Sequence, residues 1–479
     1  VFDEYKNPPT LIGNEIDGEA DGDNFGRAIS MSEDGTIMAV GGRNADVDSS
    51  IRGHVRVLQY NGTDWVLLGT AIEGTFYAGK FGSSVSLSGD GKTLAVGIPE
   101  VTTNKTSDGQ VKTYKYNGTD WDLVDTITPS FSSSTPKYES QNFGQRVRLS
   151  SDGKTLAVSD PWYSNDTSAG KGGTNSGRVE VYRLNEDTNK WDVLGTEFLL
   201  YGYSGNNFGW GLSLSANGNI LAVGEHEYDT KTSRGDANTK TNAGQVRIYS
   251  YDSSTTSWEE KGKINGVESQ ERFGAALDLS SDGLTVAVGA PYHRTAGSGS
   301  EFVGKVSIFK WDNTTYSPQG ESLIGADKYD FFGAQLSLDN EGNTLAIMGP
   351  GHDANPGSST GNYLNKGRTR VYNWNGTIWE QSPSSYDFDG EANEDQSAGS
   401  NAESRGQRVF LSGDGSVLAI GADKHDNLKG TVKVYKLFET QTIPESAGKA
   451  VEFELFEQVT SSEDIVLKGT DPTGDGDGD

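Results

Sequence analysis

Cysteine is absent from the 479 residues, so disulfides, thiolate metal sites and thiol nucleophiles are excluded together. Methionine is scarce, with 3 residues, and so is histidine, with 5. Basic residues are outnumbered: 40 Lys and Arg stand against 68 Asp and Glu, a formal net charge of −28. A chain this acidic is repelled by nucleic acid and by anionic membranes unless it carries a local basic patch. No run of Lys or Arg makes one, so nucleic acid is excluded as a partner. No apolar stretch approaches the roughly 20 residues that a membrane-spanning helix needs, and direct membrane insertion is not expected. The start, Val1-Phe2-Asp3-Glu4, has the look of a mature end after cleavage or of a cut within a longer chain.

Glycine is plentiful, with 63 residues. That is too rich for an ordinary helical protein and far short of the roughly one in three of collagen. Aromatics at 10% argue for a packed core rather than disorder. Internal repeats are the first thing to seek in such a chain. One phrase recurs: Phe-Gly, an alternating strand, a Ser-x-Asp-Gly turn, a Leu-Ala-Val-Gly strand, a long loop, then Gly-x-Val-x-Val-Tyr. The second copy is the clearest, running from Phe81-Gly82 to Gly109-Gln110-Val111-Lys112-Thr113-Tyr114. Copies begin at Phe25, Phe81, Phe143, Phe208, Phe273 and Phe332, and a seventh without the Phe starts near Arg405-Gly406.

Each repeat predicts a four-stranded meander. The first strand alternates, as in Val85 and Leu87. The turn that follows places Asp or Asn before Gly, which tolerates the left-handed backbone of a tight hairpin. The second strand is a short apolar run such as Leu94-Ala95-Val96, which suggests burial on both faces. The third carries pairs such as Val179 and Val181. The fourth opens on an aromatic: Trp65, Trp121, Trp191, Trp258, Tyr316 or Trp379. The seventh copy runs out at Tyr435, and its missing strand stands at the other end of the chain. There Leu11-Ile12-Gly13 matches Leu67-Leu68-Gly69. The expected fold is all-β: a seven-bladed β-propeller of four-stranded antiparallel blades over residues 3–438, closed by the N-terminal strand so that no edge is left free at the seam. Residues 439–479 are expected to be a linker or the start of a further module.

The phrase is complete in Phe273-Gly274 … Gly289-Ala290-Pro291. It resembles the FG-GAP repeat of the integrin α-chain head, which implies a seven-bladed propeller and, by analogy, adhesion. Integrin-type repeats often carry an Asp-rich calcium loop between the first two strands. The Ser-x-Asp-Gly turns here are too short for a calcium cage, so calcium is not carried over to them. The end, Asp471 to Asp479, resembles the calcium-binding linkers of extracellular repeat proteins.

A meander propeller has two faces. One carries the short turns, and the other carries long links before the first strand and after the second. Function concentrates on loops held by a rigid scaffold, so the long-loop face is the expected contact surface. Four of the five histidines follow the second strand on that face: His226, His293, His352 and His425. Imidazoles from adjacent blades could converge on a metal, or the rings simply meet water at a loop mouth. Trp162, Tyr163, Trp210, Tyr228 and Tyr292 on the same face could stack on sugars or pack loops down. Clustered carboxylates at Asp17, Glu19, Asp21 and Asp23, and at Asp387, Asp389, Glu391 and Asp395, suit calcium or are solvated acidic loops. Calcium is thus the one cofactor to consider.

Six sequons occur, at Asn61, Asn104, Asn117, Asn165, Asn313 and Asn375. Four of them (Asn61, Asn117, Asn313, Asn375) fall between the third and fourth strands on the short-turn face. Asn-Gly-Thr is good turn chemistry in itself. In a eukaryotic secretory pathway it would also be glycosylated. No nucleophile elbow, P-loop or His-Glu-x-x-His motif is present. The expectation is a non-catalytic, extracellular or cell-surface interaction protein of the adhesion, matrix or surface-assembly type. It would present the long-loop face to a protein or polysaccharide partner or to another copy of itself. The alternatives are a carbohydrate-binding lectin, or a polysaccharide hydrolase or lyase using Asp160, Glu225, Glu227 or Asp423.

Overall fold

The computed structural model describes residues 8–47, 50–103, 106–130, 142–164, 173–195, 199–230, 239–295, 301–352, 366–390 and 408–438. The expected residues 439–479 lie outside that set, as do Asn104, Asn165, Glu391 and Asp395. Seven antiparallel sheets follow one another along the chain, each ordered first-second-third-fourth strand from the axis outward. Blade 2 is typical, with Ser84–Leu87, Thr93–Ile98, Gln110–Tyr116 and Trp121–Ile127. Helix is confined, among the described residues, to short turns near Tyr386 and His425.

The outer strand of blade 7 comes from the N-terminus. Thr10 and Leu11 pair with Lys436 and Tyr435, and Ile16 and Asp17 pair with Val432 and Thr431. The ring therefore closes as the sequence match indicates.

The repeat phrase has a structural reason at each position. In the Ser-x-Asp-Gly turn, Ser88 Oγ donates to Asp90 Oδ1 at 2.6 Å, and Asp90 Oδ1 accepts the Lys92 N–H at 2.9 Å. The turn aspartate is thus committed to its own backbone. Two glycines of the phrase meet across most blade junctions, as Gly41 and Gly82 do, whereas Ser159 in blade 3 and Met348 in blade 6 stand in place of the first. A Cβ on Gly97 would lie 2.0 Å from the Gly144 carbonyl oxygen, and Gly144 has a φ of +89°. Glycine is needed there on both counts.

Hydrophobic burial lies between blades rather than within them. Seven clusters form, one per junction; the first packs Ala39, Val55 and Val57 against Val85, Leu94, Val96, Tyr114 and Trp121. The aromatic that opens the fourth strand also stitches neighbours. Trp65 Nε1 donates to the Ile12 carbonyl at 3.0 Å, Trp121 Nε1 to Leu68 at 2.8 Å and Trp379 Nε1 to Gln319 at 3.1 Å.

The short turns join into a closed circle. Glu33 N–H donates to the Gly89 carbonyl, Gly89 to Ser151, Ser151 to Ala216, Ala216 to Ser281, Ser281 to Asn340, Asn340 to Gly413, and Gly413 back to Glu33, at 2.7–2.9 Å. This collar surrounds a cavity of about 130 Å³ on the axis, into which Ser30, Ser86, Arg148, Ser213 and Asp278 project.

Candidate functional site

The long-loop face is built by one device repeated around the ring. The Gly that precedes the third strand bridges the Phe that opens the next blade, as Gly244 does with Phe273 and Gly304 with Phe332. Each link before a first strand is thereby pinned beside the loop that follows a second strand. Polar groups from the two meet in the gap, and the filling changes around the ring, with blades 5 and 6 alike.

In blade 3, Arg178 lies 3.3 Å from Asp160 and 3.1 Å from Glu180, and all three side chains are fully buried. The guanidinium also sits 4.1 Å from the centre of the Tyr163 ring, which stacks on Tyr201. Burial pushes the Asp160 carboxyl up to about 6, against the pull of Arg178. Glu180 is further held by the Tyr182 and Ser130 hydroxyls at 2.5 and 2.7 Å. Tyr163 therefore packs the loop, as one reading of the sequence allows. In blade 7, Asp423 takes Arg27 at 2.8 Å and Arg408 at 3.2 Å. These buried ion pairs occupy two of the carboxylates raised as catalytic candidates.

Blade 4 is open. Glu225 is buried against Arg247 at 2.7 Å and accepts the Asn206 amide at 2.6 Å. Asn206 also lines a cavity of about 490 Å³, together with Tyr203, Glu227, Tyr228, Asp229 and Asn242. Tyr203 is 45% exposed, and the Arg247 guanidinium lies 5.5 Å from its ring centre. Burial beside Glu225 holds the Tyr228 hydroxyl above its ordinary range. Asn207 donates to Glu227 at 3.1 Å. Tyr203 and Asn206 are absent from the sequence-based set. Their signal was the replacement of the carboxylate two residues before Phe-Gly, present as Glu271 and Asp330, by Asn206 in this blade.

Three of the four loop histidines, His226, His293 and His352, are buried away from water. His226 is fully buried, with its ring 4.4 Å from that of Trp210, which packs in turn on Trp162 at 5.2 Å. Nor do imidazoles from adjacent blades converge. His293 faces Glu268 and Glu271, His352 faces Asp327 and Asp330, and His425 sits half-buried in the turn that accepts the Gly430 N–H. The reason is the link pinned beside each loop, which brings its own carboxylates to its own histidine. Tyr292 packs loops too, edge-on to Phe302 and Phe331.

Among the described residues of the two acidic stretches weighed for calcium, no set of three ligands is gathered. Asp23 folds back to accept the Glu19 and Ala20 N–H groups at 3.0 and 2.9 Å. Asp17 and Glu19 are largely exposed, 3.9 Å from Lys429 and Arg56 respectively, and Asp21 is exposed. Asp387 lies within 3.5 Å of Arg368 and Arg370, and Asp389 is paired with Arg368. Among the described residues, the acid-and-imidazole groups close enough to share an ion are the Glu268/Glu271/His293 and Asp327/Asp330/His352 triads. On the opposite face, Asn61, Asn117 and Asn313 are exposed and Asn375 half-exposed. Asn61 and Asn117 each use the side-chain oxygen to cap their turn, at 2.9 Å.

No family model and no curated protein matches this chain. Among solved structures, the periplasmic gluconolactonase PpgL of Pseudomonas aeruginosa is similar over 76% of this chain and 83% of that one, at 14% identity and a TM-score of 0.45. So distant a likeness assigns no residue and no reaction here. The integrin-type resemblance is accordingly limited to the propeller architecture. One expectation needs correcting: the matched structure is that of an enzyme, so the assignment of this chain as non-catalytic is withdrawn, because the propeller architecture on which it leaned does not exclude catalysis.

Proposed function

We propose that the long-loop face of blade 4 binds a saccharide, as the contact point of a surface-exposed propeller with a polysaccharide. The observation that carries this is the cavity of about 490 Å³ between Tyr203, Tyr228, Asn206, Glu227, Asp229 and Asn242. Its size falls in the range of small-molecule sites, about 300–1,000 Å³. A half-exposed aromatic ring offers the apolar surface that the C–H face of a sugar needs. Carboxylates and amides around it match pairs of hydroxyls, donating and accepting at once. The net charge of −28 favours neutral or amino sugars over acidic ones. An extracellular or cell-surface location belongs to the same reading, supported by exposed Asn-Gly-Thr turns on the opposite face.

The experiment is calorimetric titration of the chain with neutral and amino oligosaccharides, with product release followed in the same samples. Saturable binding that falls at least about tenfold in Tyr203→Ala, the loss of roughly 1.4 kcal/mol, supports the reading. Binding to no saccharide, or equal binding by Tyr203→Ala, overturns it. Release of shortened products would identify the bound polysaccharide as a substrate.

A further inference from the structure

His293 and His352 occupy the same position in blades 5 and 6, and each faces two carboxylates from the link that enters its own blade. His293 Nδ1 lies 3.2 Å from Glu268 Oε2 and 3.4 Å from Glu271 Oε2. His352 Nδ1 lies 3.0 Å from Asp330 Oδ1 and 3.4 Å from Asp327 Oδ2. We propose that each triad is a binding site for a divalent transition metal of the zinc class, held by two carboxylates and one imidazole.

Three observations carry this. The first is spacing. Zinc binds carboxylate oxygen and imidazole nitrogen at about 2.0–2.2 Å, so ligand atoms sharing one ion stand about 3–3.6 Å apart. The nitrogen–oxygen distances on the page fall in that range without adjustment. The second is an orphaned nitrogen. The His293 side chain is 8% exposed, and its Nδ1, aimed at both carboxylates, makes no hydrogen bond of good geometry among the described residues. A buried polar atom left so is uncommon and needs a partner. The third is orientation. Glu271 Oε1 accepts the Val267 and Glu268 N–H groups at 2.6 and 3.1 Å, which leaves Oε2 toward the histidine. Asp330 does the same with the Asp327 N–H at 3.0 Å. Such outer bonds fix the rotamers of metal ligands.

The two sites are unequal. Lys305 Nζ lies 2.5 Å from Glu271 Oε2 and competes with an ion there. The residue at the same position in blade 6 is Arg368, which is turned to Asp387 and Asp389. Blade 6 is therefore the tighter site. Three protein ligands leave at least one coordination position for water or a partner's oxygen.

The test is equilibrium dialysis of the chelator-stripped full chain against Zn²⁺, with metal content and thermal melts read together. Wild type should take up two equivalents and melt higher in Zn²⁺, because an ion that binds only the folded state stabilises it. Asp327→Asn and Glu268→Gln alter the outer, partly exposed ligands, 33% and 48% exposed, so each variant keeps its fold. Each should lose one equivalent, and the double variant both. Loss of one equivalent in Asp327→Asn alone keeps the blade 6 site and removes the blade 5 site. No stoichiometric uptake by wild type, or uptake unchanged in the double variant, overturns the proposal and leaves both histidines as plain ion-pair partners.

Discussion

The Gly413 N–H donates to the Glu33 carbonyl at 2.7 Å, and this bond completes the circle of backbone hydrogen bonds between the seven short turns. Every member occupies the second position of its short turn, which reads Ser-x-Asp-Gly in five of the seven, Ser215-Ala216-Asn217-Gly218 in blade 4 and Asp339-Asn340-Glu341-Gly342 in blade 6. Proline is favoured at that position of a β-turn, so a proline there spares the turn and removes only the collar's donor. Ser281→Pro deletes the N–H that reaches Asn340 at 2.9 Å and presses a ring against a carbonyl. The expected loss is about 1–3 kcal/mol, the cost of a buried group left unsatisfied. Urea midpoints measured beside a Ser281→Ala control, which keeps the N–H and should stay near wild type, check it.

The same seam is held on the other face by Arg27 and Asp423, 2.8 Å apart, with Arg408 on the second carboxylate oxygen. Burial pushes the Asp423 carboxyl up, but Arg408 and Arg27 outweigh it and leave its pKa below the ordinary value. Because the folded value is the lower one, the stabilisation is present above the unfolded carboxylate range and is lost as pH falls through the folded value. Asp423→Asn leaves two buried guanidinium groups facing one another, and about 3–5 kcal/mol should go at pH 7. At pH 3 the gap between variant and wild type should shrink. Denaturation at the two pH values measures both, and no loss of stability at pH 7 would show the ion pair to be immaterial.

Blade 3 has the opposite sign. One guanidinium, Arg178, faces two buried carboxylates, Asp160 and Glu180, so a proton is retained and burial raises Asp160 to about 6. The folded state then binds more protons than the unfolded one between about pH 4 and about pH 6. Stability from this site falls as pH rises through that window, by up to about 1.4 kcal/mol per unit. Glu180→Gln keeps an acceptor for Tyr182 and Ser130 and leaves one carboxylate to one guanidinium. Its stability should fall less between pH 4.5 and pH 6.5 than that of wild type. Parallel slopes for the two proteins would exclude a retained proton.

How much of this was legible in the sequence depended on whether the information was local. Closure was legible because Leu11-Ile12-Gly13 repeats Leu67-Leu68-Gly69, and identical local chemistry gave identical pairing with the third strand. The Phe-Gly and Leu-Ala-Val-Gly glycines were visible as a phrase, but their reason, the approach of Gly97 to Gly144, joins two repeats and is not in either. Three of the loop histidines, His226, His293 and His352, lie buried rather than at a wet loop mouth. Their spacing after the second strand says nothing about which link lies beside them. A second pattern did hold that information: an acidic residue five and two positions before the Phe, as in Glu268, Glu271 and Phe273, and again in Asp327, Asp330 and Phe332. The alternating carboxylates at Asp17 to Asp23 looked stronger because they are denser. Density is a poor guide when Asp17, Glu19 and Asp21 stand exposed, with Asp17 and Glu19 3.9 Å from Lys429 and Arg56.

His226 carries the last prediction. Its ring is fully buried against Trp210, neither nitrogen has a hydrogen-bond partner among the described residues, and Glu227 stands 3.9 Å away, too far for a bond. Burial, with the field of Arg272, holds its pKa well below the ordinary imidazole value. The unfolded chain therefore takes up a proton below about pH 6.5 that the folded chain refuses, and stability from this site is lost as pH falls through that value. His226→Phe keeps an aromatic ring on Trp210 and removes two buried polar atoms and the titration together. It should melt higher than wild type at pH 7, and its advantage should widen at pH 5. Thermal melts at both values decide the matter. A variant that melts lower at pH 7 would mean that Phe fits the site worse than the neutral imidazole, and an advantage that stays constant with pH would mean that His226 takes up its proton in the folded state.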